Sequence, residues 1–370
     1  MNPLLSKQQC AAMRGLAIIF IMLHNYCHLF TFAIKESEFE FKLDQTCRWG
    51  SYILNPDINL PVNLFSTFGF YLLPTFMFLG GYGLVRKYEQ GNATFKAGRF
   101  VLNSWRKLLS LVLIPQLVFI AMLAYMNKPL PNLASVITQL GMVNNIAIAI
   151  GSIEPALSLS VKINPFIYWY LGMMMQLYVV YALIHHFQGV KSRLWVPVGL
   201  ILLGYAAHLI FPQGSIGASI IRYNGTVGFI PFGLGILAAR FGHKIHLTTR
   251  RAAIMLPVLL VIVVANCFNY YSWGANYAFG AMVAICSAYL MRGKTLKCFA
   301  TVGKVSALVY ILHPLTRWIL LQVSGRHFPT WTYTQLLLYI LLTIVVVYVY
   351  NALGIYRFSL RVIAGKKQDK

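Results

Sequence analysis

Acidic residues are nearly missing from this sequence. It holds 8 Asp and Glu among 370 residues, against 31 Lys and Arg, and charged residues of both signs make up only 11%. A soluble domain carries about a quarter, so this chain cannot solvate its own surface in water. In a bilayer the same shortage is what the solvent demands, because helices satisfy their backbone groups internally and side chains face hydrocarbon. Cysteine is sparse too. The six (Cys10, Cys27, Cys47, Cys267, Cys286, Cys298) form no CxxC pair, which leaves no disulfide framework to read and makes free thiols the expectation. There is no internal repeat, no G-x-S-x-G elbow and no P-loop. Gly233-x-Gly235 lies inside an apolar run with no strand before it, so it is not a dinucleotide fingerprint.

What the sequence has is hydrophobic length: 58% of its residues are apolar or aromatic. Runs of about 18–25 residues are long enough to cross roughly 30 Å of hydrocarbon. They predict spans near 11–31, 62–84, 108–126, 165–186, 194–211, 225–241, 252–269, 275–291, 303–323 and 333–355. The expected fold is therefore an all-α, polytopic transmembrane helical bundle of about ten spans. The first run, with no convincing small-residue cleavage site after it, reads as an uncleaved span. An eleventh candidate, Leu133 to Gly151, carries Thr138, Gln139, Asn144 and Asn145 in its middle.

Charge decides between ten and eleven. The net charge of +23 is not gathered into one stripe, as nucleic acid would require, but sits in clusters between apolar runs. With ten spans and the amino terminus inside, 23 of the 31 basic residues are cytoplasmic and 8 are outside. If Leu133–Gly151 also crossed, 12 would be inside and 19 outside. The positive-inside rule selects ten spans, both termini cytoplasmic, and a re-entrant or interfacial segment on the outer side. The aromatic clusters Tyr168–Tyr170, Tyr270–Trp273 and Trp331–Tyr333 then fall at outer boundaries, where Trp and Tyr anchor. The outer loop from Thr31 to Leu60 carries five of the acidic residues: Glu36, Glu38, Glu40, Asp44 and Asp57.

Polar residues inside spans are functional candidates, because each costs free energy there. Arg14 opens the first span, and His24, ten residues on, lies about 15 Å deeper, near the midplane. His28 is one turn further out on the same face. An imidazole at that depth serves as general base or proton carrier, or as a neutral hydrogen-bonding link between helices. A metal site from His24, Cys27 and His28 lacks a carboxylate or further ligand nearby in sequence. The segment Phe76–Leu84 contains Gly80, Gly81 and Gly83, which permit close approach of a helix or a ligand. Arg86, Lys87, Lys96, Arg99, Arg106 and Lys107 form the most basic loop; it is a phosphate cradle or a plain topology signal. Late in the chain His313 lies about 14 Å from Lys304, followed by Pro314 and, one turn beyond His313, Arg317.

Taken in order, these segments resemble acyltransferase family 3, integral membrane enzymes that typically acylate bacterial cell-surface sugars. Arg14-Gly15-Leu16-Ala17 through His24 is similar to the first-helix signature. Phe78 to Leu84 is similar to a Phe-Leu-Ser-Gly-Tyr segment. Trp105-Arg106-Lys107-Leu108 resembles the basic start of helix three. Tyr168 to Leu171 through Gln176-Leu177-Tyr178 resembles the Trp-containing helix, and Val302 to Ser306 through His313-Pro314 the late helix. Two departures stand out. The family's His follows Arg by eleven positions, which here is Asn25, with His24 one residue early. The family's Ser is Gly80, so no hydroxyl stands there.

The resemblance implies one membrane-embedded acyltransferase domain over 1–370 in the bacterial inner membrane. It implies a cytoplasmic acyl-CoA donor, usually acetyl-CoA, and O-acetylation of a cell-surface polysaccharide or lipid-linked glycan, with membrane lipids as surroundings, no metal and no nucleic acid. Arg14, Arg86, Lys87, Arg99, Arg106 and Lys107 would meet the donor phosphates. His24, with His28 and His313, would do the acid–base chemistry. Tyr82, Trp169, Tyr170 and Arg317 would contact substrate. The rival reading is a transporter or flippase using the midplane His residues as a proton relay; inverted repeats, common in transporters, are not visible. A purely structural scaffold would leave those His residues unexplained.

Overall fold

The computed structural model describes residues 3–35, 41–146, 169–188, 194–213, 215–324 and 332–365, and among these there are helices and connecting turns but no strand. Residues 147–168, Glu36, Glu38, Glu40, Lys191, Arg193 and Trp331 lie outside the described set. Every one of the ten expected spans is occupied by a helix. Among the described residues seven helical segments are long and apolar enough to cross a membrane, and two shorter apolar helices, Trp195–Ile210 and Asn276–Leu290, occupy two further expected spans. All six cysteines are free; Cys27, Cys267 and Cys286 are buried and Cys47 and Cys298 exposed.

The chain divides into two compact units, residues 1–95 with 188–306, and residues 96–187 with 307–370. The first begins with α1 (Lys7–Cys27), started by a reciprocal cap in which Ser6 Oγ accepts from Gln9 N and Gln9 Oε1 accepts from Ser6 N. An amphipathic helix, α2 (Leu43–Leu54), has no buried residue. It leads through Asp57, whose carboxyl the Tyr52 hydroxyl and the Asn59 backbone hold below the usual carboxylate range.

Next, α3 (Leu60–Phe68) tightens into a 3₁₀ turn over Gly69–Leu72 before α4 (Pro74–Leu84) and a π turn over Val85–Glu89. Pro74, which has no N–H to give to a carbonyl behind it, stands where the geometry changes. The second half of this unit, after α5 (Ala97–Tyr125), α6 (Leu133–Leu140) and α7 (Trp169–Gln188) of the other, comprises α8 (Trp195–Ile210), α9 (Ile216–Tyr223), α10 (Gly225–Phe241), α11 (Thr249–Asn266), α12 (Tyr270–Trp273), α13 (Asn276–Leu290) and α14 (Gly293–Lys304). The glycines of α4 serve helix packing: a Cβ on Gly81 would lie 2.3 Å from Phe232 O, and one on Gly235 2.0 Å from Phe78 O, so α4 and α10 meet backbone to backbone.

The second unit holds α5 (Ala97–Tyr125), α6 (Leu133–Leu140), α7 (Trp169–Gln188), nearly all of α15 (Ser306–Ser324), α16 (Thr332–Ala352) and α17 (Ile355–Ala364). The described part of the segment from Leu133 is not one continuous helix, and its last residues, 147–151, lie outside the described set. α6 has 8 residues, about 12 Å, and stops at a turn where Met142 takes φ 58°. Its polar residues face protein: Gln139, Asn144 and Asn145 are buried, and the Trp105 indole N–H donates to Leu140 O at 3.1 Å. Inward-facing polar groups are the arrangement a non-crossing membrane segment needs. A topology reporter fused after Pro129 and another after Lys162 should therefore both report the outer side. Opposite sides would restore an eleventh crossing and invert everything after it.

Candidate active site

In the first unit, His24 of α1 and His28, the residue that caps its end, lie with ring centroids 4.1 Å apart. Each reaches a backbone carbonyl in the last turn of α3: His24 Nδ1 lies 3.2 Å from Phe65 O and His28 Nε2 lies 2.7 Å from Ser66 O. Phe65 O also accepts from the Gly69 backbone N–H, so His24 adds a second donor to it; carbonyls near a helix end are open to such outside donors. A carbonyl only accepts, so the ring nitrogen facing it carries the proton. Neutral His24 is thereby the Nδ1–H tautomer with its lone pair on Nε2, and neutral His28 is the reverse. His24 is 1% exposed and sits beside Phe70, their rings 6.0 Å apart. Gly69 admits this contact, since a Cβ there would lie 2.7 Å from the His24 Cβ. Asn25, at the position where the family pattern carries His, turns its amide back onto Ile21 O at 2.9 Å.

Two turns into α1, Arg14 is half-buried, and its Nε is buried with no hydrogen-bond partner among the described residues. The Tyr82 hydroxyl exchanges hydrogen bonds with the backbone of Leu5, accepting from its N–H at 3.2 Å and donating to its carbonyl at 3.3 Å. Arg86 donates to Gln90 Oε1 at 2.6 Å, and Lys87 lies 4.7 Å from the centre of the Tyr88 ring. Arg240, which the sequence reading did not single out, forms a two-pronged ion pair with Glu89, both contacts 2.7 Å. With its charge matched in this way, Arg240 is less suited to an incoming phosphate than Arg14, Arg86 and Lys87.

The second unit gathers the other candidates. His313 is buried and donates from Nδ1 to Val309 O at 3.0 Å, which again leaves the neutral lone pair on Nε2. Pro314 beside it removes one backbone N–H from the ladder of α15. The helix is tied to α16 there instead, through Thr316 and Thr343 hydroxyls 2.7 Å apart. An aromatic chain runs from Trp169 to Tyr170 (6.3 Å), from Tyr170 to Tyr310 (5.6 Å), and from Tyr310 to His313 (6.1 Å). Half-buried Arg317 stands one turn beyond His313. Arg99, Arg106 and Lys107 all lie on α5.

Three features escaped the sequence reading. The carbonyls of Phe65 and Ser66 are backbone atoms with no residue-type signal. Gly69 looks like any glycine of an apolar run. Gln116, 1% exposed in α5, has neither its amide nitrogen nor its oxygen bonded among the described residues, and a polar residue in mid-span was signal enough to find it. No group of three or more His, Cys, Asp or Glu is placed to hold a metal ion among the described residues.

The family model for acyltransferase family 3, described as an acyltransferase domain, matches residues 11–352, a stretch that contains every candidate above. No curated protein and no solved structure matches the chain.

Proposed function

Given that the chain belongs to acyltransferase family 3 and is a membrane-embedded acyltransferase, we propose that it moves an acyl group, acetyl in the usual case, from cytoplasmic acyl-CoA to a hydroxyl of a cell-surface or lipid-linked glycan. The whole chain acts as one catalytic domain in the bacterial inner membrane, with both termini in the cytoplasm. The observation that carries the reading is the contact of the buried His24 Nδ1 with Phe65 O at 3.2 Å, which fixes the tautomer of the imidazole. A fixed Nδ1–H directs the basic lone pair of Nε2 away from α3, which is the role a carboxylate or carbonyl plays behind a catalytic imidazole.

In this mechanism His24 Nε2 takes the proton of the acceptor hydroxyl as its oxygen attacks the thioester carbon. The new C–O bond forms, the C–S bond breaks, and the CoA thiolate leaves with the proton that His24 gives back. His28, one turn nearer the outer surface, orients the acceptor. His313 and Arg317, with Tyr170 and Trp169 reached through Tyr310, support substrate on the second unit. The donor phosphates meet basic residues expected on the cytoplasmic side; Arg14, Arg86 and Lys87 are the candidates in the first unit, and Arg106 and Lys107, taken by themselves, those in the second. Arg14 supports this best, because a half-buried guanidinium with an unbonded Nε is short of an anion.

Purified protein in detergent should bind acetyl-CoA. Arg14→Ala and Arg106→Ala should each weaken that binding by about 1.5–3 kcal/mol, the value of a charge-assisted hydrogen bond, measured by titration calorimetry. Wild-type protein that binds no CoA would turn the reading toward a transporter. Unchanged affinity in both variants would reduce these residues to topology signals.

A further inference from the structure

The second unit contains a cavity that none of the chemistry above uses. It is a groove of about 500 Å³ between the first turns of α5 and the last turns of α7, lined by Gly98, Leu102 and Trp105 on one side and Val179, Ala182 and Leu183 on the other. Its size falls in the range of about 300–1,000 Å³ typical of ligand pockets. The gap exists because small residues, Ala97, Gly98 and Ala182, face one another there, while Phe100 bridges the helices edge-on to Tyr178 at 5.8 Å. The walls are hydrocarbon and indole. The Trp105 N–H is already given to Leu140 O, and the one titratable side chain on the lining is His186, exposed near the end of α7. Such walls suit an alkyl chain and offer nothing to a polar arm.

The start of α5, where the groove begins, carries the exposed basic residues Lys96 and Arg99; Arg99 follows Gly98 directly and lies one turn before Leu102. Among the described residues of this unit there is no Asp or Glu, so none of them pairs with Arg99. The level of the headgroups is marked by α17, which packs on α5 and exposes Phe358 and Val362 beside Arg357 and Arg361. Apolar and basic stripes side by side are the signature of a helix lying in the interface.

We propose that the groove between α5 and α7 holds one acyl chain of an anionic phospholipid of the cytoplasmic leaflet, with its phosphodiester on Arg99 and its headgroup beside His186. Basic residues at that level attract anionic lipid in just this way. The assignment takes Arg99 out of the donor-binding set that the family resemblance implies, and it stands whether or not the donor is acyl-CoA.

The test uses the full chain in detergent, its thermal midpoint and its lipid adducts by native mass spectrometry. Phosphatidylglycerol should raise the midpoint and co-purify as an adduct. Phosphatidylcholine and inorganic phosphate should do neither, because one lacks the net charge and the other the chain. Gly98→Leu fills the groove without touching backbone, since a Cβ at Gly98 meets nothing within 4 Å; it should abolish the phosphatidylglycerol response. Arg99→Gln should weaken phosphatidylglycerol binding about fivefold, the factor for one basic residue at an anionic surface. Equal responses to the two lipids, or a response that survives Gly98→Leu, would overturn the proposal. So would Gly98→Leu losing acetyl-CoA binding while the lipid response stays intact, for the groove would then belong to the donor.

Discussion

Replacing His24 with Ala should lower acyl transfer by about two to four orders of magnitude, the usual contribution of a positioned general base, while acetyl-CoA binding and the unfolding temperature stay near wild type. The rate loss follows from removing the Nε2 lone pair. The retained fold follows from what is left behind: the Phe65 carbonyl loses one 3.2 Å donor at the end of α3, a cost of about 1 kcal/mol. His28→Ala removes a shorter contact, 2.7 Å to Ser66 O, so it should perturb the turn after α3 at least as much yet keep part of the activity. Asn25→His tests the spacing directly. The Asn25 amide is bound to its own helix at Ile21 O, so a His there should not rescue His24→Ala. Wild-type rates in His24→Ala with a dead His28→Ala would transfer the role one turn outward, and full activity in both would end the general-base mechanism for α1.

Much of this arrangement is legible in the sequence, for identifiable reasons. Span positions are set by runs of apolar residues, and a span must be a helix because nothing else satisfies its backbone in lipid; all ten predicted runs are helical. The candidate imidazoles are legible because a polar side chain at the midplane is rare, and His24, His28 and His313 are indeed buried or half-buried. What is not legible is which groups they meet. The partners of all three are backbone carbonyls, of Phe65, Ser66 and Val309, and a carbonyl has the same signature in every residue. The glycines were ambiguous for a related reason: a glycine states that something comes close, and only the fold states whether that is a ligand or a helix. At Gly81 it is α10. The late helix also divides where its hydropathy pattern gives no notice. α14 ends at Lys304, and α15 begins at Ser306, whose hydroxyl donates to Gly303 O at 3.0 Å.

That break leaves α14 free to lie along α1, and the seam between them predicts the largest stability effect in the first unit. A Cβ on Gly303 would lie 1.8 Å from Ala11 O, and one on Gly15 1.9 Å from Phe299 O. The two glycines are reciprocal, each opening the space that the other helix's backbone fills, with Ala11, Ala12 and Ala300 buried around them. No rotamer relieves an overlap between a Cβ and a backbone oxygen, so the helices must part. Gly303→Leu should therefore cost about 3 kcal/mol or more, the upper range for overpacking, seen as a lower thermal midpoint in detergent and a poorer yield of folded protein. Activity should fall further than stability alone explains, because His24 is nine residues beyond Gly15 on the same rigid helix, and a shift of α1 at the seam moves its imidazole relative to Phe65 O. Gly83→Ala is the control: a Cβ there meets nothing within 4 Å, and alanine in place of glycine favours a helix by about 0.5–1 kcal/mol. If Gly303→Leu and Gly83→Ala unfold at the same temperature, α1 and α14 do not meet backbone to backbone, and the depth assigned to His24 loses its anchor.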